Sequence, residues 1–145
     1  MVVKKVLVVY AKPYTSEQRK TFDKVKKFLK KKVKVAYMDR MKLIPLRFKG
    51  KDLIIAVGGD GTFLRACQFI ENTPIMGINS DLKNKEGFYM RLNYNNFESR
   101  LNKILKGDFK TAKLLRLGAK INKKEIGCMA LNEFYFGAEK SYMTA

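Results

Sequence analysis

The sequence predicts an α/β fold: a mainly parallel sheet with helices on both faces, ending in an antiparallel β-hairpin. Three observations carry that prediction. Residues 53–57, Leu-Ile-Ile-Ala-Val, form a continuous apolar run rich in β-branching, as suits a strand buried on both faces. The run stops at Gly58-Gly59-Asp60-Gly61, and helical spacing resumes at Phe63, Ala66, Cys67 and Ile70. Around this strand–turn–helix the chain reads β-α-β-β-α-β-α, the order of a sheet covered by helices. Over residues 115–122 the pattern becomes period two.

Taken in order, residues 4–10 (Lys-Lys-Val-Leu-Val-Val-Tyr) predict a first buried strand. A loop with Pro13 leads into Thr15-Ser16-Glu17-Gln18, the pattern of a capping box. Phe22, Val25 and Leu29 keep helical spacing, with Phe28 beside them, so one amphipathic helix is expected over 16–31. Val33, Val35 and Tyr37 alternate as a short second strand, and 38–50 has no period beyond room for a short strand. After the central unit, residues 73–79 (Thr-Pro-Ile-Met-Gly-Ile-Asn) predict a fourth strand, followed by a polar loop over 80–86. Asn95 or Asn96 is placed to cap a helix with Phe97, Leu101, Ile104 and Leu105 on one face, stopped by Gly107. Leu115, Leu117, Ala119 and Ile121 then alternate with polar residues. Asn122-Lys123-Lys124-Glu125 turns the chain back into 126–136, a hairpin that either extends the sheet or begins a separate β domain. The expected division is therefore 1–110 and 111–145.

At 145 residues the chain is long enough for a real core, and 46% hydrophobic residues exclude disorder. No apolar run approaches the roughly 20 residues that span a bilayer. The N-terminus reads as a strand and not a signal peptide, so the cytoplasm is the expected compartment and no membrane partner is expected. Cys67 and Cys128 lie in apolar surroundings without a motif and read as reduced core residues. The absence of histidine removes every histidine base and histidine metal ligand. With 31 basic and 13 acidic residues the net charge is +18. Much of it is lysine on the first helix, which reads as a solvated face; a nucleic-acid partner is not expected.

The turn at 58–61 carries the chemistry. It sits where open α/β sheets place ligands, at the carboxyl end of a parallel strand. Glycines allow close approach, and the amides opening the next helix favour an anion such as phosphate. Asp60 would repel that phosphate, and is explained if it holds a metal or takes a proton from an attacking hydroxyl. The plainer alternative makes Asp60 or Thr62 a helix cap in a simple connection.

Val57-Gly58-Gly59-Asp60-Gly61-Thr62-Phe63-Leu64-Arg65-Ala66 resembles the signature of the NAD kinases, shared more loosely with diacylglycerol and sphingosine kinases and phosphofructokinases. No Gly-Lys-Ser/Thr follows, so it is not the Walker phosphate loop. Pro74-Ile75-Met76-Gly77-Ile78-Asn79 with Gly87-Phe88-Tyr89 resembles the stretch after that family's second glycine-rich strand, where an aromatic contacts the NAD adenine. Arg116-Leu117 resembles the entry into its β region, and Ala130-Leu131-Asn132-Glu133 its Asn-Glu motif, whose side chains hold ribose hydroxyls. The Gly-Thr-x-Asn-Asp-Phe segment expected of diacylglycerol-type kinases is absent.

The resemblance implies a Rossmann-like domain followed by the start of a β-sandwich domain that these residues do not complete, so that the chain alone is expected to be incomplete in activity. It implies transfer of a phosphoryl group from ATP or polyphosphate to the 2′-hydroxyl of NAD, with Mg²⁺ and no direct protein ligand to the metal. Asp60 would be catalytic, and Gly58, Gly59, Gly61 and Thr62 would carry phosphate. Asp60, Gly61, Asn79, Phe88, Tyr89, Asn132 and Glu133 would contact NAD. A homo-oligomer is implied once the second domain is present. Asp60→Asn is expected to preserve folding and abolish transfer. The competing expectations are a lipid kinase-like enzyme, and a non-catalytic basic module that binds nucleotide or RNA.

Overall fold

The computed structural model describes residues 2–135 and 137. The element order is β1 (Lys5–Tyr10), α1 (Ser16–Leu29), β2 (Lys34–Asp39), a 3-10 turn at Pro45–Arg47, β3 (Leu53–Gly58), α2 (Asp60–Cys67), β4 (Ile75–Asn79), β5 (Leu92–Asn93), α3 (Phe97–Leu105), and the strands β6 (Leu117–Ile121) and β7 (Lys124–Ala130). The first five strands form one parallel sheet in the order β2-β1-β3-β4-β5, and β6 and β7 pair antiparallel in a second sheet. The mainly parallel α/β architecture and the closing hairpin are as the sequence predicts.

Alternation along the central strands decides which helix covers which face. Val6 and Val8 of β1, Ile55 and Val57 of β3 and Ile78 of β4 pack with Val25 and Leu29 of α1 and Phe97 and Leu101 of α3. Leu7, Val9 and Ile54 face the other way, onto Ala66 and Ile70 and onto Phe48. Each such side chain taken fully from water is worth about 1.5–3 kcal/mol, so both faces must be covered. Helices therefore lie on both sides.

Several boundaries differ from expectation, each for a local reason. α1 ends at Leu29, because Lys30, Lys31 and Lys32 offer nothing apolar to bury. Of the region 38–50, Met38 and Asp39 finish β2 and no further strand follows; Pro45 opens a 3-10 turn and Phe48 is buried. β5 is two residues long, too short to show a period. In the hairpin the strands are shorter than expected, and Phe136 lies outside the described residues. Asn122 and Lys123 both have positive φ, 49° and 66°, as a two-residue hairpin turn matched to strand twist requires. Asn96 precedes α3, but its side chain makes no cap bond; it accepts instead from the amide of Asn93 at 2.9 Å. Cys67 is buried as expected, whereas Cys128 is only half-buried, because β7 belongs to a two-stranded sheet with open faces. No helix among the described residues is long and apolar enough to cross a membrane.

Candidate functional site

The connection from β1 runs to β2 on one side, while β3, β4 and β5 extend on the other. A sheet with this order places its crevice at the carboxyl ends of β1 and β3, where the direction reverses. Tyr10 at the end of β1 pairs with Val57, and the next residue of β3, Gly58, pairs with Asn79 at the end of β4. The Gly-Gly-Asp-Gly turn therefore starts at the switch point.

Gly58 is required by a close neighbour, Gly59 is crowded by a lysine side chain, and Gly61 is not crowded. A Cβ on Gly58 would lie 2.5 Å from Thr62 Oγ1, and one on Gly59 would lie 2.8 Å from Lys85 Cδ. Gly61 lies beside Arg40, whose Nη1 would be 3.7 Å from a Cβ there. α2 opens at Asp60, and its first amides have no acceptor within the helix. The amide of Thr62 donates to the Gly59 carbonyl at 2.9 Å, which leaves the amides of Asp60 and Gly61 as the ones suited to an anion. The Thr62 hydroxyl is fully buried and without a hydrogen-bond partner.

Neither Asp60 nor Thr62 caps the helix; the N-cap is Gly59, with no side-chain cap bond. The Asp60 carboxylate reaches across to residues 88 and 89 instead. Its Oδ2 accepts from the Phe88 amide and its Oδ1 from the Tyr89 amide, both at 2.8 Å. Both oxygens are thus used by backbone, and the aromatic pair is fixed to the turn. Tyr89 stacks on Phe63 of α2, with ring centroids 5.1 Å apart and planes 8° apart. Phe88 stands nearly perpendicular to Tyr89 and is 70% exposed, an aromatic face open to a ligand. The Tyr89 hydroxyl donates to Asn132 Oδ1 at 2.9 Å. Asp60, Tyr89 and Asn132, which are far apart in sequence, are in this way linked in series. Glu133 is exposed beside Asn132.

Asn79 is buried and serves the loop that follows it. Its Nδ2 donates to the Lys85 carbonyl and its Oδ1 accepts from the Asp81 amide, each at 2.9 Å. Gln18 does not complete the expected capping box: its Oε1 accepts from the Tyr14 amide and its Nε2 donates to Asp81. Thr15 does cap α1, accepting from the Gln18 amide at 3.2 Å. The Gln18 donor, then Asn84, hold the Asp81 carboxyl below the usual carboxylate range, against the effect of burial.

Arg116, singled out in the sequence only as part of the entry into the β region, also bears on the site. Arg116 Nη1 donates to the carbonyls of Cys67 and Ile70, at 2.7 and 2.6 Å, at the C-terminal end of α2. A cation there complements the helix dipole, and it ties the segment before β6 to the helix that carries Asp60. Arg40 and Lys85 flank the turn, and no spacing rule would have found either of them. Two clefts lie away from the turn: about 420 Å³ beside Ser16, Lys20 and Tyr94, and about 510 Å³ at the amino-terminal ends of β3 and β4. Among the described residues no three acidic, histidine or cysteine side chains cluster as a metal site.

Fold and turn together define a class, an α/β domain with a glycine-rich, carboxylate-bearing turn at its switch point. The sequence profile of the ATP-NAD kinase N-terminal domain matches residues 1–109. The chain belongs to that family. It is 31% identical over 120 residues to an NAD kinase of Campylobacter lari, covering 80% of this chain and 42% of that protein. It is 33% identical over 98 residues to a probable NADH kinase of Oryza sativa, covering 57% and 30% respectively. An NAD kinase of Legionella pneumophila is 36% identical over 91 residues, covering 59% and 30%. The chain thus spans less than half the length of each of these relatives.

Proposed function

We propose that this chain provides the Gly-Gly-Asp-Gly half of an NAD kinase, which transfers a phosphoryl group from ATP or polyphosphate to the 2′-hydroxyl of the adenosine ribose of NAD. The observation that carries this reading is the convergence of Asp60, Tyr89 and Asn132 through consecutive hydrogen bonds at the switch point. A carboxylate for the hydroxyl, aromatic faces for the purine and an amide beside a carboxylate for ribose are thereby brought to one edge of the sheet. The names of the relatives favour this reading over a lipid kinase or a non-catalytic basic module. The rice relative's name leaves NADH as an alternative acceptor.

Each oxygen of Asp60 accepts one amide hydrogen and keeps lone-pair capacity for a second. The amides thus aim the carboxylate, which accepts the proton of the 2′-hydroxyl as its oxygen bonds to phosphorus and the donor's bridging oxygen departs. Gly58 and Gly59 keep side chains out of the phosphate's way, and the amides of Asp60 and Gly61 stabilise its charge. Exposed Phe88 stacks the adenine, Tyr89 supports it from Phe63, and Asn132 and Glu133 hold ribose hydroxyls. Asn79 acts at one remove, by shaping the loop at 80–87. Mg²⁺ would be held by the phosphates of ATP and would neutralise their charge, with no ligand required from this chain. The exposed Leu115, Leu117 and Ile121 leave the hairpin an apolar surface for further β structure or a second copy. We place the protein in the cytoplasm.

Calorimetric titration with NAD, NADP and ATP–Mg²⁺, beside Asn132→Ala and Asp60→Ala, tests this reading. NAD should bind, and each variant should weaken it. Dinucleotide binding indifferent to both substitutions, or none at all by the folded chain, would overturn the assignment.

A further inference from the structure

We propose that Arg40 and Lys85 form a cationic clamp on either side of the Gly-Gly-Asp-Gly turn and bind the phosphate chain of its ligand. This rests on reading the turn as a phosphate site and adds to it two residues from outside the motif.

The geometry is specific. Arg40 directly follows β2 and Lys85 lies in the loop after β4, so the two come from opposite sides of β3 in the sheet. Lys85 lies across Gly59, with its Cδ 2.8 Å and its Nζ 3.8 Å from where a Cβ would stand. Arg40 Nη1 is 3.7 Å from the same point on Gly61. The two glycines bracket Asp60, so one cation flanks each side of that residue.

Lys85 is also anchored for the task. Its carbonyl accepts from buried Asn79, and its amide donates to the Asp81 carbonyl at 3.1 Å. Asp81, the acid on the same loop, already accepts from Gln18 and Asn84. Both cationic side chains are half-buried, and among the described residues neither forms an ion pair. Asp81 lies close enough to feel the Lys85 charge, but its oxygens are already taken by Gln18 and Asn84, so both partly desolvated cations remain available to an incoming anion. Beneath the turn, the buried Thr62 hydroxyl is unpartnered and lies against Gly58. Cations on the two sides of Asp60 suit a ligand with more than one phosphate, each able to pair with one of them. The clamp therefore selects polyphosphate-bearing ligands.

The test titrates the folded chain with inorganic tripolyphosphate, ATP and NAD at two salt concentrations. The variants are Arg40→Gln, Lys85→Gln, the double variant, and Lys27→Gln as a charge-matched control on the exposed face of α1; circular dichroism checks folding. Each clamp variant should weaken tripolyphosphate roughly tenfold, as expected for one charge-assisted contact, while Lys27→Gln leaves it unchanged. Losses confined to ATP place the donor's phosphates in the clamp; losses confined to NAD place its pyrophosphate there. Equal losses with Lys27→Gln would reduce the effect to the overall +18 field and overturn the clamp, as would no binding of tripolyphosphate. Because NAD binding is read separately through Asn132→Ala, the clamp and the kinase reading fail independently.

Discussion

Asp60→Asn is the substitution by which a catalytic carboxylate is ordinarily tested, and here it changes more than chemistry. The two Asp60 oxygens accept from the amides of Phe88 and Tyr89, each at 2.8 Å. Asparagine offers one oxygen and one NH₂, so one amide faces a donor. The fold is still expected to survive Asp60→Asn, at a cost the contacts let one state. A hydrogen bond to a charged group contributes about 1.5–3 kcal/mol net when buried. The Phe88 bond is exposed and the Tyr89 bond part-buried, so water offsets part of each loss. The asparagine keeps the Tyr89 bond and gives up the other, at a cost of about 1 kcal/mol; alanine gives up both, at about 2–3 kcal/mol. For a chain of this size those figures correspond to roughly 3 °C and 6–9 °C in Tm.

Thermal melts of the two variants against wild type measure this, and amide hydrogen exchange localises it. Exchange at the Tyr89 amide should quicken strongly in Asp60→Ala and little in Asp60→Asn. An Asp60→Ala protein that melts with wild type and protects the Tyr89 amide equally would refute the anchoring role. Loss of transfer in Asp60→Asn then counts toward proton acceptance only when corrected for the modest loosening of residues 88 and 89.

Three further outcomes follow from the contacts. Arg116→Ala removes the donor to the Cys67 and Ile70 carbonyls and should cost about 2 kcal/mol, with the chain between α3 and β6 becoming more susceptible to limited proteolysis; unchanged proteolysis would refute the tie. Asp81 and Asp52 both have carboxyls held below the usual range, Asp81 by Gln18 and Asp52 by the amides of Lys4 and Lys5. A lowered folded-state pKa adds stability above the unfolded value, about 3.9 for Asp, and loses it as pH falls through the folded value. Tm should accordingly drop below about pH 4, and the Asp52→Asn/Asp81→Asn double variant should flatten that drop. Burial pushes the Cys67 thiol up to about 11, Arg116 acting the other way, so at neutral pH a thiol reagent should modify half-buried Cys128 well before Cys67.

The sheet was legible because its signals are local. The apolar run at 53–57, the glycine stop and the return of helical spacing specify β3, the turn and α2 within about fifteen residues of sequence. The aromatic pair and the Asn-Glu segment were legible only through resemblance. The contacts that organise the site were not legible at all. Asp60 meets residues 28 and 29 positions away, and Tyr89 meets one 43 positions away. Gln18 shows why: it stands at a capping-box position, yet its side chain turns into the molecule toward Asp81, because burying that carboxylate requires a donor. Periodicity reports which face a residue is on, and says nothing about which distant loop will be waiting there.

The arrangement also shows how one carboxylate could serve structure and, in the proposed reading, transfer without conflict. Backbone amides donate along directions the chain itself fixes, so they hold Asp60 in place while leaving each oxygen a free lone pair. A side-chain cation in their place would compete with the incoming phosphate's own counter-charges and would move with every rotamer change. Because the same amides belong to the aromatic residues, aiming the carboxylate and presenting the Phe88 ring become one event. Tyr89 passes that constraint to Asn132, so under the proposed reading a dinucleotide gripping any of the three would find the other two already positioned, with little ordering cost left for the bound state to bear.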